Sequence, residues 1–168
     1  MDLITLDFET YYDKDYSLRK ITIEEYVRGD KFEVIGVGVK VNNNKTEWVS
    51  GTHTELSEYL CAFDWVNSIV VAHNTMFDGA ILSWIFNIKP RLLSDTMCIS
   101  RALHGPDTSA SLANLATQYG IGTKGVEVLN AIGKRRADFT VEELSSYGDY
   151  CINDVELTYK LFDIFIRK

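Results

Sequence analysis

Proline is scarce in this sequence, with two residues, and the eleven glycines follow no repeat, which excludes collagen-like and linker-like chains. Cysteine is scarce too: Cys61, Cys98 and Cys151 stand isolated. An odd count without a CxxC pair argues against a disulfide framework or a zinc site and fits a reducing cytoplasm. All three are expected to be buried, inert thiols. No apolar run is long enough to cross a bilayer, so no membrane partner is expected. The opening Met1-Asp2-Leu3 has no basic segment leading into an apolar stretch, so no secretory leader is expected. Basic excess is also missing: 17 Lys+Arg against 24 Asp+Glu leave a formal net charge of −7. Proteins that hold nucleic acid by counterion release normally present a basic face. The balance weighs against a tight nucleic-acid binder working alone. It leaves room for an enzyme that meets one strand end through divalent cations, which invert the local electrostatics.

What is present is ordinary globular composition, 46% hydrophobic and 24% charged over 168 residues, which fits one domain over 1–168. Leu3 to Phe8 reads as a buried strand, central only if later strands flank it. Phe32 to Val41 alternates as a second strand, Asn42 to Lys45 turns, and Thr46 to Val49 returns as its hairpin partner. Thr54 to Phe63 has helical spacing, Ile69 to Ala72 is a short apolar strand, and Phe77 to Phe86 reads as a buried helix. A link follows Pro90; Thr96 to Leu103 and Ser111 to Tyr119 are helical. Ile121 to Asp138 reads as mostly loop, with a short helix near Glu127 to Ile132. Thr140 and Glu143 form a capping-box pattern that opens a long helix to Lys168, with Gly148 as a candidate break. Two antiparallel strands, strand–helix alternation, then helices make an α/β or α+β domain with a mixed sheet.

Acidic residues sit where strands end and helices begin. Asp7 and Glu9 are two apart on a strand, so they share a face, about 7 Å apart by strand rise. Asp78 follows a strand and opens a helix. Asp154 lies in the last helix with Tyr150 four residues before it, on the same face. If these carboxylates converge, they repel, and they need a counter-charge to stay ionised. Hard divalent ions such as Mg²⁺ or Mn²⁺ supply it, and a pair of them suits phosphoryl displacement. A tyrosine hydroxyl, with its ordinary pKa near 10, orients water better than it deprotonates it.

These residues resemble three motifs of a known superfamily. Asp7-Phe8-Glu9-Thr10 resembles the first motif of the DEDD 3′–5′ exonucleases, which are DnaQ-like members of the ribonuclease H-like superfamily. His73-Asn74 with Phe77-Asp78 resembles the second motif, and Tyr150 to Asp154 the third in its tyrosine form. The histidine branch has its histidine five residues before the last aspartate; Asp149 stands there, so the chain resembles the DEDDy branch. Within that branch the chain resembles the proofreading domains of family A DNA polymerases, especially of bacteriophages. It implies an α/β fold with a ribonuclease H-like mixed sheet flanked by helices. It implies two Mg²⁺ or Mn²⁺ ions, with Asp7 shared by both, Glu9 and Asp154 on the tighter one and Asp78 on the other. Tyr150 orients the attacking water, and Glu9 shares that task. Thr10, His73, Asn74 and Phe77 line the path of the terminal nucleotides, or Phe77 packs in the core and His73 is structural or a metal ligand. The implied activity is removal of 5′-mononucleotides from the 3′ end of single-stranded DNA during replication, with a DNA polymerase domain or other replication protein as partner. The implied setting is a phage-encoded protein in a bacterial cytoplasm, either an excised domain or a stand-alone enzyme. An RNA-directed exonuclease of the same chemistry and a non-catalytic nucleic-acid-binding module are the rival readings.

Other residues keep two readings. Asp95 either supports the site or caps the helix from Thr96. Lys134-Arg135-Arg136 either touches strand phosphates or is a solvated loop. Tyr11 and Tyr12 either stack on bases or pack at the core and rim. Trp48, Trp65 and Trp84 read as core aromatics, and His53 and His104 as surface residues.

Overall fold

The computed structural model describes residues 1–125 and 131–167. Its centre is strand β1 (Asp2–Thr10). An antiparallel meander lies on one side, β2 (Val34–Val41) and β3 (Glu47–Val49). Parallel strands β4 (Ser68–Ala72) and β5 (Leu92–Asp95) lie on the other, giving the order β3-β2-β1-β4-β5. This is the expected mixed sheet flanked by helices. β1 is central because β4 arrives on its open edge after the hairpin has filled the first.

The alternation of β1 divides the molecule. Ile4, Leu6 and Phe8 enter one core with Leu56, Leu60, Ile81 and Leu82. Those partners come from α2 (His53–Cys61), α3 (Thr75–Ala80) and the π-helical turn Ile81–Ile85 that extends α3. Thr5, Asp7 and Glu9 alternate to the opposite face, where α6 (Val141–Phe165) crosses β1 and β2. A second core of Leu115, Ala116, Leu157 and Leu161 joins α6 to α5 (Leu112–Gln118). Burying each such leucine contributes about 1.5–3 kcal/mol.

Several expectations change in detail. The first strand runs two residues further than Phe8, which carries Glu9 inside it. The link after Pro90 contains β5, an edge strand too short and too exposed to show alternation. Helix α1 (Ile23–Val27) was not foreseen, although Thr22 and Glu25 form a capping box like that of Thr140 and Glu143. The short helix expected over 127–132 lies largely outside the described residues. Trp84 is exposed and stacks under the Arg28 guanidinium at 4.5 Å, whereas Trp65 is buried as expected. Cys61 and Cys98 are exposed; only Cys151 is buried.

Gly148 does not break α6, which runs unbroken for 25 residues. A Cβ there would collide with the Trp48 ring, so glycine lets the indole pack on the helix. Gly38 on β2 does the same for the helix itself. A Cβ at Gly38 would lie 2.9 Å from Cys151 Sγ and 3.0 Å from Val155 Cγ2. These two glycines set how closely α6 approaches the sheet. Gly38→Ala is therefore expected to cost about 1–3 kcal/mol by overpacking, read as a lower midpoint in urea unfolding. An unchanged midpoint would show that α6 has slack over β2.

Candidate active site

The site starts from the face of β1 that α6 covers. Asp7 pairs across the ladder with Gly38, and Glu9 with Gly36. Neither partner has a side chain: Cys151 and Val155 of the helix take the room over Gly38, and the Trp48 ring takes that over Gly36. A ladder irregularity follows between Glu9 and Thr10. Carboxylate oxygens of Asp7 and Glu9 lie with Cys151 Sγ inside a 4.8 Å group. The Cys151 thiol donates to the Asp7 main-chain oxygen at 3.4 Å.

Helix α6 supplies the opposing wall. Tyr147, Tyr150, Cys151 and Asp154 are spaced at three, four and seven residues, one helical face, and all are buried. The Tyr147 hydroxyl is hydrogen-bonded to Glu9, and the Tyr150 hydroxyl to Asp154. Lys124 completes this wall. Its ammonium meets Asp154 Oδ2 at 2.5 Å and lies 5.2 Å from the Tyr150 ring centroid. The sequence reading missed Tyr147 and Lys124. Helical spacing back from Asp154 could have found Tyr147, since the same arithmetic selects Tyr150. No local signal marks Lys124, which lies thirty residues upstream of its partner.

Asp78 arrives from the other half of the sheet. The chain leaves β4, and Asn74 adopts the left-handed conformation at φ 82° to start α3. The Asp95 carboxylate accepts from Asn74 N at 3.1 Å and Thr75 N at 3.0 Å. It also accepts from Met97 N at 2.8 Å and Cys98 N at 3.3 Å, capping α4 (Thr96–His104). Both readings of Asp95 therefore hold: it caps one helix and fixes the start of the helix that carries Asp78. Asp78 is 1% exposed, and its Oδ1 accepts from Phe8 N at 3.0 Å. The first and second motifs are thus joined by a direct hydrogen bond, and Asp7 is the group whose charge reaches Glu9, Asp78 and Asp154 together.

A family model described as 3′–5′ exonuclease matches residues 4–168. The chain belongs to that family. Among solved structures, the exonuclease is similar to Brucella melitensis NrnC with bound Mg²⁺, at TM-score 0.68 and 12% identity, over 98% of this chain and 72% of that one. It is similar to the catalytic core of RRP6 from Trypanosoma brucei at 0.68 and 18%, over 97% of this chain and 40% of that one. RNase D of Trypanosoma brucei in complex with RNA U12 gives 0.72 and 13%, over 99% of this chain and 56% of that one. At these identities the likeness speaks for the fold, the ribonuclease H-like mixed sheet. A sequence search of curated proteins found no match.

The exonuclease's carboxylates are electrostatically strained. Burial and the Asp154 charge push Asp7 up to about 7, with Lys124 and the Cys151 thiol pulling the other way. Burial first, then the Asp7 charge, holds Glu9 and Asp78 well above the carboxylate range. Burial and the charge of Asp154 raise the Tyr150 hydroxyl, and burial with the charge of Glu9 raises that of Tyr147. Both stay neutral near physiological pH and act as hydrogen-bonding groups rather than bases. Burial also keeps Cys151 a thiol, so it offers no thiolate. What remains is a set of hard oxygen donors that, once ionised, carry more negative charge than one lysine offsets. That donor chemistry fits Mg²⁺ or Mn²⁺, which Asp7, Glu9, Asp78 and Asp154 would hold.

The remaining expected residues fall into two groups. Thr10 and Phe77 line a cavity of about 710 Å³ that opens beside Glu9 and Tyr147. Phe77 also packs on Tyr26, with centroids 5.8 Å apart, so it is both lining and core. Tyr12 lines the same cavity, whereas Tyr11 is buried. Asn74 and His73 serve the scaffold. The His73 Nε2 proton goes to the Ala110 carbonyl at 2.9 Å, so the neutral ring's Nδ1 accepts from Thr96 Oγ1 at 2.8 Å. Two of the three basic loop residues are engaged: Lys134 pairs with Glu143, and Arg135 pairs with Glu33 at 3.0 Å and covers the Tyr11 ring at 4.1 Å. Arg136 donates its backbone N–H to Glu33 at 3.2 Å, and its charge acts on Glu55.

Two predictions follow from this charge balance. The folded-state pKa of Asp7, about 7, lies above its ordinary 3.8, so the folded chain keeps a proton that the unfolded chain loses between those values. In EDTA, stability should therefore fall as pH rises from 4 to 7. Asp7→Asn should flatten that fall in thermal melts; an identical slope would mean that Asp7 is not desolvated. Lys124→Met should lower the metal-free melting temperature and also the Mn²⁺ concentration that restores it. An unchanged Mn²⁺ midpoint would mean that the ammonium does not compete for the carboxylates.

Proposed function

We propose that this exonuclease removes nucleotides one at a time from the 3′ end of single-stranded DNA, releasing 5′-mononucleotides, as a proofreader in replication. The observation that carries the reading is that Asp7 is electrostatically coupled to Glu9, Asp78 and Asp154 at once, with a neutral Tyr150 hydroxyl bonded to Asp154. Two Mg²⁺ or Mn²⁺ ions held by these carboxylates would supply charge stabilisation for the attacking and leaving oxygens of a phosphodiester. Tyr150 holds and orients the attacking water through its hydroxyl, and its raised pKa keeps it from taking the proton. Tyr147 fixes the Glu9 carboxylate, and the Phe8 main chain fixes Asp78. Burial of this wall excludes bulk water from the reacting centre. A strand end approaches along the cavity that Thr10 and Phe77 line.

DNA stands first because the three motifs resemble proofreading domains. A polymerase domain or another replication protein then completes the grip on the template, in a phage-infected bacterial cytoplasm. Among the described residues no helix is long and apolar enough to cross a membrane. RNA is the second reading, supported by the likeness to an RNase D bound to RNA. The three motifs serve either polymer, since sugar discrimination rests on a few contacts near the 3′ terminus.

Matched end-labelled DNA and RNA strands decide between the two when digested in Mg²⁺ or Mn²⁺ and in EDTA. DNA shortened from its 3′ end faster than RNA supports the first reading, and the reverse the second. Undiminished digestion in EDTA would sink the metal-dependent reading. Asp7→Ala should lower the rate by several orders of magnitude, and Tyr150→Phe by roughly 10- to 100-fold. Digestion by Asp7→Ala at the parental rate would overturn the site.

A further inference from the structure

The cavity beside Glu9 and Tyr147 has a far wall made by the turn that follows β1, from Asp13 to Lys20. The turn is tied down at its start. Asp13 Oδ1 accepts from Asp15 N at 2.8 Å and Tyr16 N at 2.7 Å. Asp13 Oδ2 accepts from the Tyr11 hydroxyl at 2.8 Å and Lys31 Nζ at 2.9 Å. Asp15 in turn pairs with Lys20 at 2.7 Å. The acidic charge of the turn is therefore already balanced. Lys14 and Arg19 also line the cavity and are exposed, and among the described residues neither forms an ion pair. Other cations near the site are committed: Lys124 to Asp154, Lys134 to Glu143 and Arg135 to Glu33. In a chain of net charge −7, two uncommitted cations face a cleft that begins at the carboxylates. Exposed Leu18 and Ile132 stand on the same rim, as apolar surface for bases.

We propose that the turn from Asp13 to Lys20 is the strand-holding element of this enzyme, with Lys14 and Arg19 gripping backbone phosphates of the nucleotides that precede the scissile bond. This rests on the proposed function and names where the strand lies. Rigidity matters here: four hydrogen bonds to Asp13 order the start of the turn before binding, which reduces the backbone ordering cost that binding would otherwise carry. It also answers how an acidic protein holds a polyanion, because the positive charge is placed locally rather than spread over a face.

The test is binding of a short 5′-fluorescein DNA strand with phosphorothioate 3′ linkages, followed by anisotropy in Mg²⁺ across a salt series. The double variant Lys14→Gln/Arg19→Gln should weaken binding at low salt by about tenfold or more and reduce the salt slope by about 1 to 1.5. Both side chains are exposed, so the melting temperature should hold, and a merely structural role would not move the slope. Lys45→Gln, in the exposed β2–β3 turn, is the control for loss of charge alone and should leave the slope unchanged. Parental affinity and slope in the double variant would overturn the proposal while leaving the nuclease reading intact. A folded parental chain that neither binds nor shortens any strand would overturn the proposed function, and this inference with it.

Discussion

The repulsion gathered on Asp7 is the constraint around which the rest is arranged. Its charge is felt by Glu9 and Asp78, and it feels that of Asp154. Fully ionised and without a counter-charge, such a cluster would push α6 and α3 away from β1. Two apolar cores oppose that push, one under the sheet and one between α5 and α6. Each fully buried leucine in them contributes about 1.5–3 kcal/mol, so a handful offsets the cost of several crowded carboxylates. The chain thereby uses core stability to hold an arrangement that is poor for folding and suited to binding cations.

The same logic governs where the positive charge goes. A protein of net charge −7 cannot place cations freely. Lys124 is placed on Asp154, where it relieves the cluster, and Arg135 spans from the 134–136 run to Glu33, fastening that segment beside β2. A partly exposed pair such as Arg135–Glu33 contributes little net stability, so its effect is positional. The cations left over at the cleft are those on the rigid turn after β1, directly past the first pair of carboxylates.

How far the sequence carried the reading depends on the kind of signal. Period-two alternation fixed which face Asp7 and Glu9 share, and strand-to-helix punctuation placed Asp78, because both rest on local backbone geometry. The i, i+4 relation joined Tyr150 to Asp154 but was not extended one turn back to Tyr147, which holds Glu9. Lys124 was illegible because its contact with Asp154 is purely tertiary. Gly148 misled as a helix breaker: the propensity cost, about 1 kcal/mol, is overridden when the missing Cβ makes room for a tryptophan. The basic run at Lys134 kept two readings, since charge alone does not reveal whether a cation is free or already paired.

The position of α6 along its own axis needs a separate explanation, since hydrophobic packing tolerates small slides. One residue of slippage rotates a helix by about 100°, which would turn Asp154 and both tyrosines out of the site. Glu156, two residues beyond Asp154, supplies the lock. It accepts from Lys40 Nζ at 2.8 Å, and Lys40 also donates to the Asn44 carbonyl at 2.7 Å. Thr46 donates to the same Glu156 oxygen. Lys40 is buried, so this pair carries a desolvation cost and adds little to net stability. Its value is register: it pins the helix to the β2–β3 hairpin at one height. Gly38 of β2 and Gly148 of α6 then set the distance, and Asp154 stays within electrostatic reach of Asp7 because both coordinates are fixed from outside the site.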